Sequence, residues 1–196
     1  MSYDLLKAQS IPKHPKNMSG VVFIVGTHPC YREDIDEAKQ YFDYIDYCAV
    51  NDATELVHAD YVATGHPEKL DQFLDGIVHG IEIHSRKKFK QPKVRDNEHV
   101  WNINVGGTSA LFAVAAMLAI GYDEIVLCGC PMNGGGGYAL RKHNGSVEDP
   151  RIGDMEPSND IIQGWHKNLK RFKEENPLSD RVSSMSGVTQ KIFGGL

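Results

Sequence analysis

The chain is poor in most of the features that would place it outside ordinary globular proteins. Four cysteines occur in 196 residues. Cys30, Cys48, Cys128 and Cys130 lack the paired spacing of a metal site, and no secretory context accompanies them, so they read as free, buried thiols. There is no long hydrophobic run: the longest, Ala110 to Ile120, is eleven residues, about half of what a membrane-spanning helix needs. The first twenty residues carry lysines but no continuous apolar stretch, so no signal peptide is expected. Positive charge is also short. The formal net charge is −5, which argues against a surface built to coat nucleic acid or an acidic membrane. A soluble cytoplasmic protein is the expectation.

What is present is an alternation of apolar runs and amphipathic segments. Residues 1–19 are polar, contain Pro12 and Pro15, and read as an N-terminal arm; residues 20–196 read as a single nucleotide-binding α/β domain. Val21–Val25 is a continuous apolar run closed by Gly26, the pattern of a strand buried on both faces. A helix is expected over Arg32–Tyr44, with Ile35, Ala38 and Phe42 inward, and then a strand over Ile45–Val50. A short helical turn over Ala53–His58, a strand over Asp60–Thr64 and a helix opened by Pro67 follow. Ile81–His84 reads as a short strand at a sheet edge. Residues 86–95 hold six basic side chains without helical period and read as a solvated loop, with an arm for an anionic partner as the functional alternative.

The strongest local pattern is Gly106-Gly107-Thr108-Ser109 before the apolar run that ends at Gly121. Thr108 or Ser109 is a natural helix cap and Gly121 a natural stop. A helix apolar all round must be buried. A strand over Ile125–Cys128, a long loop over Met132–Ser158 with four consecutive glycines, an amphipathic helix over Asn159–Glu175, a strand over Arg181–Met185 and a short terminal helix complete the chain. The long helix is expected to turn Ile161, Ile162, Trp165, Leu169 and Phe172 inward and to leave His166 exposed. Such alternation predicts an α/β fold: one doubly wound, mainly parallel, Rossmann-like sheet with a long lid loop. Its pocket would lie beyond the carboxyl ends of the strands.

Small and hydrogen-bonding residues gather at those ends: Gly26-Thr27-His28, Asn51-Asp52, Thr64-Gly65-His66, Gly129 to Asn133, and Ser184 to Ser186. Gly26 and the Gly106–Ser109 turn each lead into a helix whose free amides favour an anion. Neither a GxGxxG fingerprint nor a GxxxxGK[ST] loop is present, so dinucleotide redox chemistry and P-loop hydrolysis are poorly supported.

Thr108-Ser109-Ala110-Leu111-Phe112, the alanine-rich run, Gly121-Tyr122-Asp123-Glu124-Ile125 and the strand ending at Gly129 together resemble the central motif of small bacterial CMP-sialic-acid-dependent sialyltransferases. Phe23 to Pro29 stands where that family carries Gly-Asn-Gly-Pro-Ser. Pterin-diphosphokinase-like transferases share much of the pattern, and the resemblance spans about residues 20–140. It implies a pocket for a cytidine-type nucleotide or nucleotide-sugar lined by Gly26, Thr27, His28, Asn51, Gly107, Thr108 and Ser109, bordered by Met132 and Asn133, with Tyr138 reaching in from the lid. It further implies sugar transfer from a CMP-type donor to an acceptor hydroxyl, no metal, no cofactor, and a homo-oligomer. The chain departs from the family at Thr27-His28, at Cys30, and at Asp154–Pro157, where the family's catalytic histidine has no counterpart. A base is still required, and histidine suits it near neutral pH. His143, beside Arg141 in the lid, is the first candidate, with His28 and His66 as alternatives. Two other readings are an ATP-dependent diphosphokinase acting on a small heterocycle, with Asp52 and Asp60 as magnesium ligands, and a non-catalytic nucleotide-binding or assembly protein.

Overall fold

The structure is a computed structural model that describes residues 20–77, 80–88, 90, 92–133 and 159–196. Seven strands form one sheet: β1 (Val21–Val25), β2 (Ile45–Val50), β3 (Tyr61–Thr64), β4 (Glu82–Arg86), β5 (Glu98–Trp101), β6 (Glu124–Cys128) and β7 (Val182–Ser184). Every pairing is parallel and the spatial order is β5-β4-β3-β2-β1-β6-β7. The helices are α1 (Tyr31–Ala38), α2 (Leu70–Phe73), α3 (Ser109–Ile120), α4 (Asn159–Glu175) and α5 (Gly187–Phe193).

The continuous apolar run of β1 is explained by its two covered faces. Val22 and Ile24 enter the core shared with α3, α4 and α5, whereas Phe23 and Val25 enter the one shared with α1 and α2. A strand whose successive side chains all meet apolar neighbours has no polar position to spare. Helix α3 is the centre of the first core, with every residue from Ser109 to Leu118 buried. The Thr108 hydroxyl oxygen accepts the Leu111 amide at 3.1 Å and fixes its start. Gly121, left-handed at φ 112°, ends it by returning its amide to the Met117 carbonyl.

The structure corrects several sequence expectations. Strand β5 was unforeseen, and it moves β4 from the edge to an interior place between β3 and β5. What holds β5 is pairing across the sheet: Ser85 donates to Glu98 at 2.6 Å, and the Trp101 indole donates to His84 Nδ1 at 2.9 Å. Helix α1 ends at Ala38 rather than Tyr44; the chain then turns so that Phe42 meets the Phe23 ring edge-on at 6.0 Å. The turn expected over Ala53–His58 is a 3-10 helix over Asn51–Glu55, and the helix opened by Pro67 begins as a 3-10 turn before α2. On α4, Leu169 and Phe172 are buried but Ile161 stands 49 % exposed. The segment that holds Tyr138, Arg141 and His143 lies outside the described residues.

Candidate functional site

Strand order reverses between β1 and β6: the chain builds outward through β2 and β3 on one side and then returns to add β6 on the other. In open parallel sheets the crevice above such a point is where ligands bind. Here Gly26 and Gly129 face each other across it. A Cβ at Gly26 would lie 2.5 Å from the Gly129 carbonyl oxygen and 2.6 Å from Cys130 Sγ. Glycine at 26 is therefore required by the neighbouring strand tip, which fills the space that the sequence reading reserved for a ligand. The Gly26 amide donates to Cys128 O and the His28 amide to Gly129 O, which seals the two tips together.

A polar cluster sits on this seam. Asp34, a buried carboxylate on α1, accepts the Gly129 amide at 2.8 Å and the Ser186 hydroxyl at 2.8 Å, and the Cys30 thiol points at it from 3.4 Å. His28 Nδ1 lies 3.0 Å from Cys30 Sγ and accepts the Cys30 amide at 3.3 Å. A neutral ring that accepts at Nδ1 carries its proton on Nε2, so His28 in this arrangement is a donor. Cys30 is half-buried, unlike the other three thiols, which corrects its expected burial. Desolvation is the main reason its pKa is raised, with the Asp34 charge adding to it. It is a protonated hydrogen-bonding group at neutral pH rather than a ready nucleophile.

The second half of the rim lies two strands away. The Thr64 hydroxyl donates to Asn51 Oδ1 at 2.8 Å and accepts the His66 amide at 2.8 Å; the Gly65 amide donates to Ser109 Oγ at 3.0 Å. The tips of β2 and β3 are thereby tied to the start of α3. Both predicted hydroxyls act as acceptors for backbone amides, Thr108 for Leu111 and Ser109 for Gly65, and each keeps its own proton to donate. The amides of Ser109 and Ala110 meet no acceptor among the described residues. Gly106 and Gly107 are left-handed at φ 79° and 63°. Cβ atoms there would strike Asn168 and Trp165, so α4 lies directly on this turn.

Two non-glycine residues have positive φ among those described, Asn51 at 55° and Met132 at 53°. Both follow strands at the pocket rim, and both were singled out from sequence. Backbone held in this region costs free energy and concentrates at functional sites. The Met132 carbonyl lies 2.8 Å from His166 Nε2, so His166 is a half-buried contact of the rim and not an exposed surface residue. Asn133 Oδ1 accepts the Val188 amide at the start of α5, which commits it to holding that helix.

Sequence reading missed Asp34 and Asn168; it placed Ser186 at the rim, Trp165 only on the inner face of the long helix, and Arg86 only as the first member of a basic run. Arg86 ends β4 with its guanidinium over Gly65; Cζ and Nη2 are both 3.8 Å from where a Cβ would stand. The run of basic residues was the available signal, but nothing local says that its first member points at the rim. Asp52 and Asp60 do not converge. Asp60 pairs with the Tyr47 amide, and Asp52 follows the far end of β2, roughly 15 Å along the strand at about 3.3 Å per residue. Among the described residues no group of three or more His, Cys, Asp or Glu side chains could hold a metal ion. No described helix is long and apolar enough to cross a membrane.

The architecture is that of a doubly wound α/β protein whose fold is similar to that of a sialyltransferase. The monofunctional alpha-2,3-sialyltransferase Cst-I from Campylobacter jejuni superposes with a TM-score of 0.60 at 16% identity, covering 92% of this chain and 81% of that one. No protein-family model matches the sequence, and no curated protein does.

Proposed function

We propose that the protein is a glycosyltransferase-type enzyme that moves a sugar from a CMP-type nucleotide donor to an acceptor hydroxyl. The observation that carries this reading is the pair of amides at Ser109 and Ala110, which meet no acceptor among the described residues and stand beside the Ser109 and Thr108 hydroxyls at the start of a buried helix. Free amides and the helix dipole favour a phosphate there. The fold shared with a sialyltransferase supports the same reading.

In the proposed reaction the acceptor oxygen attacks the anomeric carbon as the bond to the phosphate breaks. The bonding electrons leave with the nucleotide, whose growing charge the α3 amides stabilise. The acceptor proton passes to a histidine. His143 is the first candidate. His66 is the second, favoured by one observation: its Nδ1 lies 3.2 Å from the Glu68 carboxylate, which orients the ring with Nε2 as the basic nitrogen. Assembly as a homo-oligomer in the cytoplasm is part of the same proposal.

Thermal-shift measurements against CMP, UMP, ADP and pterins, with and without Mg²⁺, test it. CMP should raise the melting temperature by a few degrees without metal through ligand linkage. Protection by ATP or ADP only with Mg²⁺ would replace this reading with a diphosphokinase, and no shift from any of them would favour a non-catalytic protein. H143A and H66A should both bind CMP, and the one that loses transfer identifies the base.

A further inference from the structure

Charge is segregated along this chain. Residues 86–95 carry six basic side chains and no acid, whereas residues 33–46 carry six acids and one lysine. Topology brings the two stretches to the same side of the sheet. From β1 to β5 each crossover steps in one direction, and right-handed connections then lie on one face. Helices α1 and α2 share the core on that face. The basic crossover joins them there, because Arg95 pairs with Asp71 on α2. It is pinned at both ends of β5: the Lys87 amide donates to the Trp101 carbonyl at 2.8 Å, and the Arg95 amide to Glu98 Oε2 at 3.1 Å.

Neither stretch is neutralised within its own copy. Lys87, Lys90 and Lys93 are exposed, as are Glu33, Glu37 and Asp43, and none of the six forms an ion pair among the described residues. The acids are also placed against the interest of the helix that carries two of them. Glu33 and Glu37 are four residues apart on α1, a repulsive spacing for like charges, and Glu37 stands in the last turn, where the helix dipole disfavours a carboxylate. The lysine of that stretch, Lys39, lies over the Tyr47 ring at 5.8 Å. Exposed ion pairs are individually weak, so a stable contact needs apolar area too. It is present beside both patches: Tyr41 is 58% and Tyr44 85% exposed next to the acids, and Val94 is 44% exposed next to Lys93.

We infer that this face is the interface of a two-fold dimer, in which the lysine strip of one copy lies on the acidic side of α1 in the other. The occupant is a second copy because the same face holds both complementary halves. Strands β1 and β4 are three places apart, roughly 14 Å at about 4.8 Å per strand, with the short helix α2 between. A two-fold axis parallel to the strands and passing over α2 exchanges the two patches, so both contacts form at once and the assembly closes. Both stretches leave the sheet at the rim and descend to its other end, so this axis sets Lys87 at the height of Glu33, and Val94 at the height of Tyr44. Complementary charge fixes the register and the exposed tyrosines supply contact area. The inference stands independently of the sugar-transfer reading.

The test is sedimentation velocity on the full chain and two charge-reversed variants, K87E/K90E/K93E and E33K/E37K/D43K. The wild type at low ionic strength should sediment as a dimer, twice the 21.8 kDa of one chain. A tenfold rise in ionic strength should weaken association about tenfold or more, because the charges are screened. Each variant alone should be a monomer, and an equimolar mixture of the two should regain the dimer, since every reversed patch then meets its opposite. Circular dichroism reports that each variant is folded. Should a triple variant fail to fold, the single reversals K90E and E37K must each weaken the dimer, and their mixture must restore it. A monomeric wild type, a dimer indifferent to either reversal, or a mixture that stays monomeric overturns the inference. A monomeric wild type that binds vesicles of anionic phospholipid through the same lysines overturns it as well and assigns the strip to a membrane surface.

Discussion

The Gly65 amide donates to the Ser109 hydroxyl at 3.0 Å, so the tip of β3 hangs on the first residue of α3. Ser109 is therefore both a structural tie and part of the proposed phosphate seat. Serine 109 to alanine leaves a buried amide without an acceptor, which costs about 1–3 kcal/mol. Urea unfolding of S109A should show that loss, and CMP titration should show weakened binding in the same variant.

Asp34 takes two donors from two other elements, the Gly129 amide and the Ser186 hydroxyl, while buried. D34A strands both, and at about 1–3 kcal/mol for each unpaired group the loss should be about 3 kcal/mol. D34N keeps one accepting oxygen and should lose less. The midpoints of chemical denaturation for the two variants check the order; equal midpoints would mean that the carboxylate is not what joins the strand tips.

Cys30 differs from the other three thiols in exposure. In the native protein a disulfide-exchange reagent should titrate one cysteine, and all four after denaturation. Burial and the Asp34 charge hold its pKa above that of an ordinary thiol. Its reaction rate should therefore still climb at a pH where a free thiol has levelled off, and C30S should remove the native reaction entirely.

His84 is fully buried, accepts the Trp101 indole, and is pushed down to about 3 by desolvation and the neighbouring His99. The unfolded chain protonates this imidazole near pH 6.5, whereas the native protein does so only near 3. Between those values the unfolded state binds the extra proton, so this contribution to stability is complete above pH 6.5 and falls as the pH is lowered, by up to about 1.4 kcal/mol per pH unit. H84Q should flatten the acid limb of the stability profile measured by urea titration.

The sheet was legible where burial imposes a continuous pattern. Val21–Val25, Ile45–Val50 and the helix Asn159–Glu175 fall where the apolar spacing puts them. Thr108 and Gly121 marked the ends of α3 because capping chemistry is local. β5 was hidden because Glu98 and His99 are satisfied by Ser85 and Glu82 on the neighbouring strand, and no local rule reveals such partners. The site divides in the same way. Asn51, Ser109 and Met132 could be found as residues that follow strands or open a helix. Asp34 with Ser186, and Arg86 over Gly65, are products of topology. The glycines at 26, 106 and 107 were noticed for openness, yet Cys130, Trp165 and Asn168 occupy the room they leave.

Amide resonances of an isotopically labelled sample, followed during addition of CMP without divalent metal, test the account where it is most exposed. Saturable displacement of the Ser109 and Ala110 amide signals, stronger than that of the α1 amides, is the predicted result. Signals at those two positions that stay fixed at saturating CMP would contradict it, whether or not the nucleotide binds elsewhere.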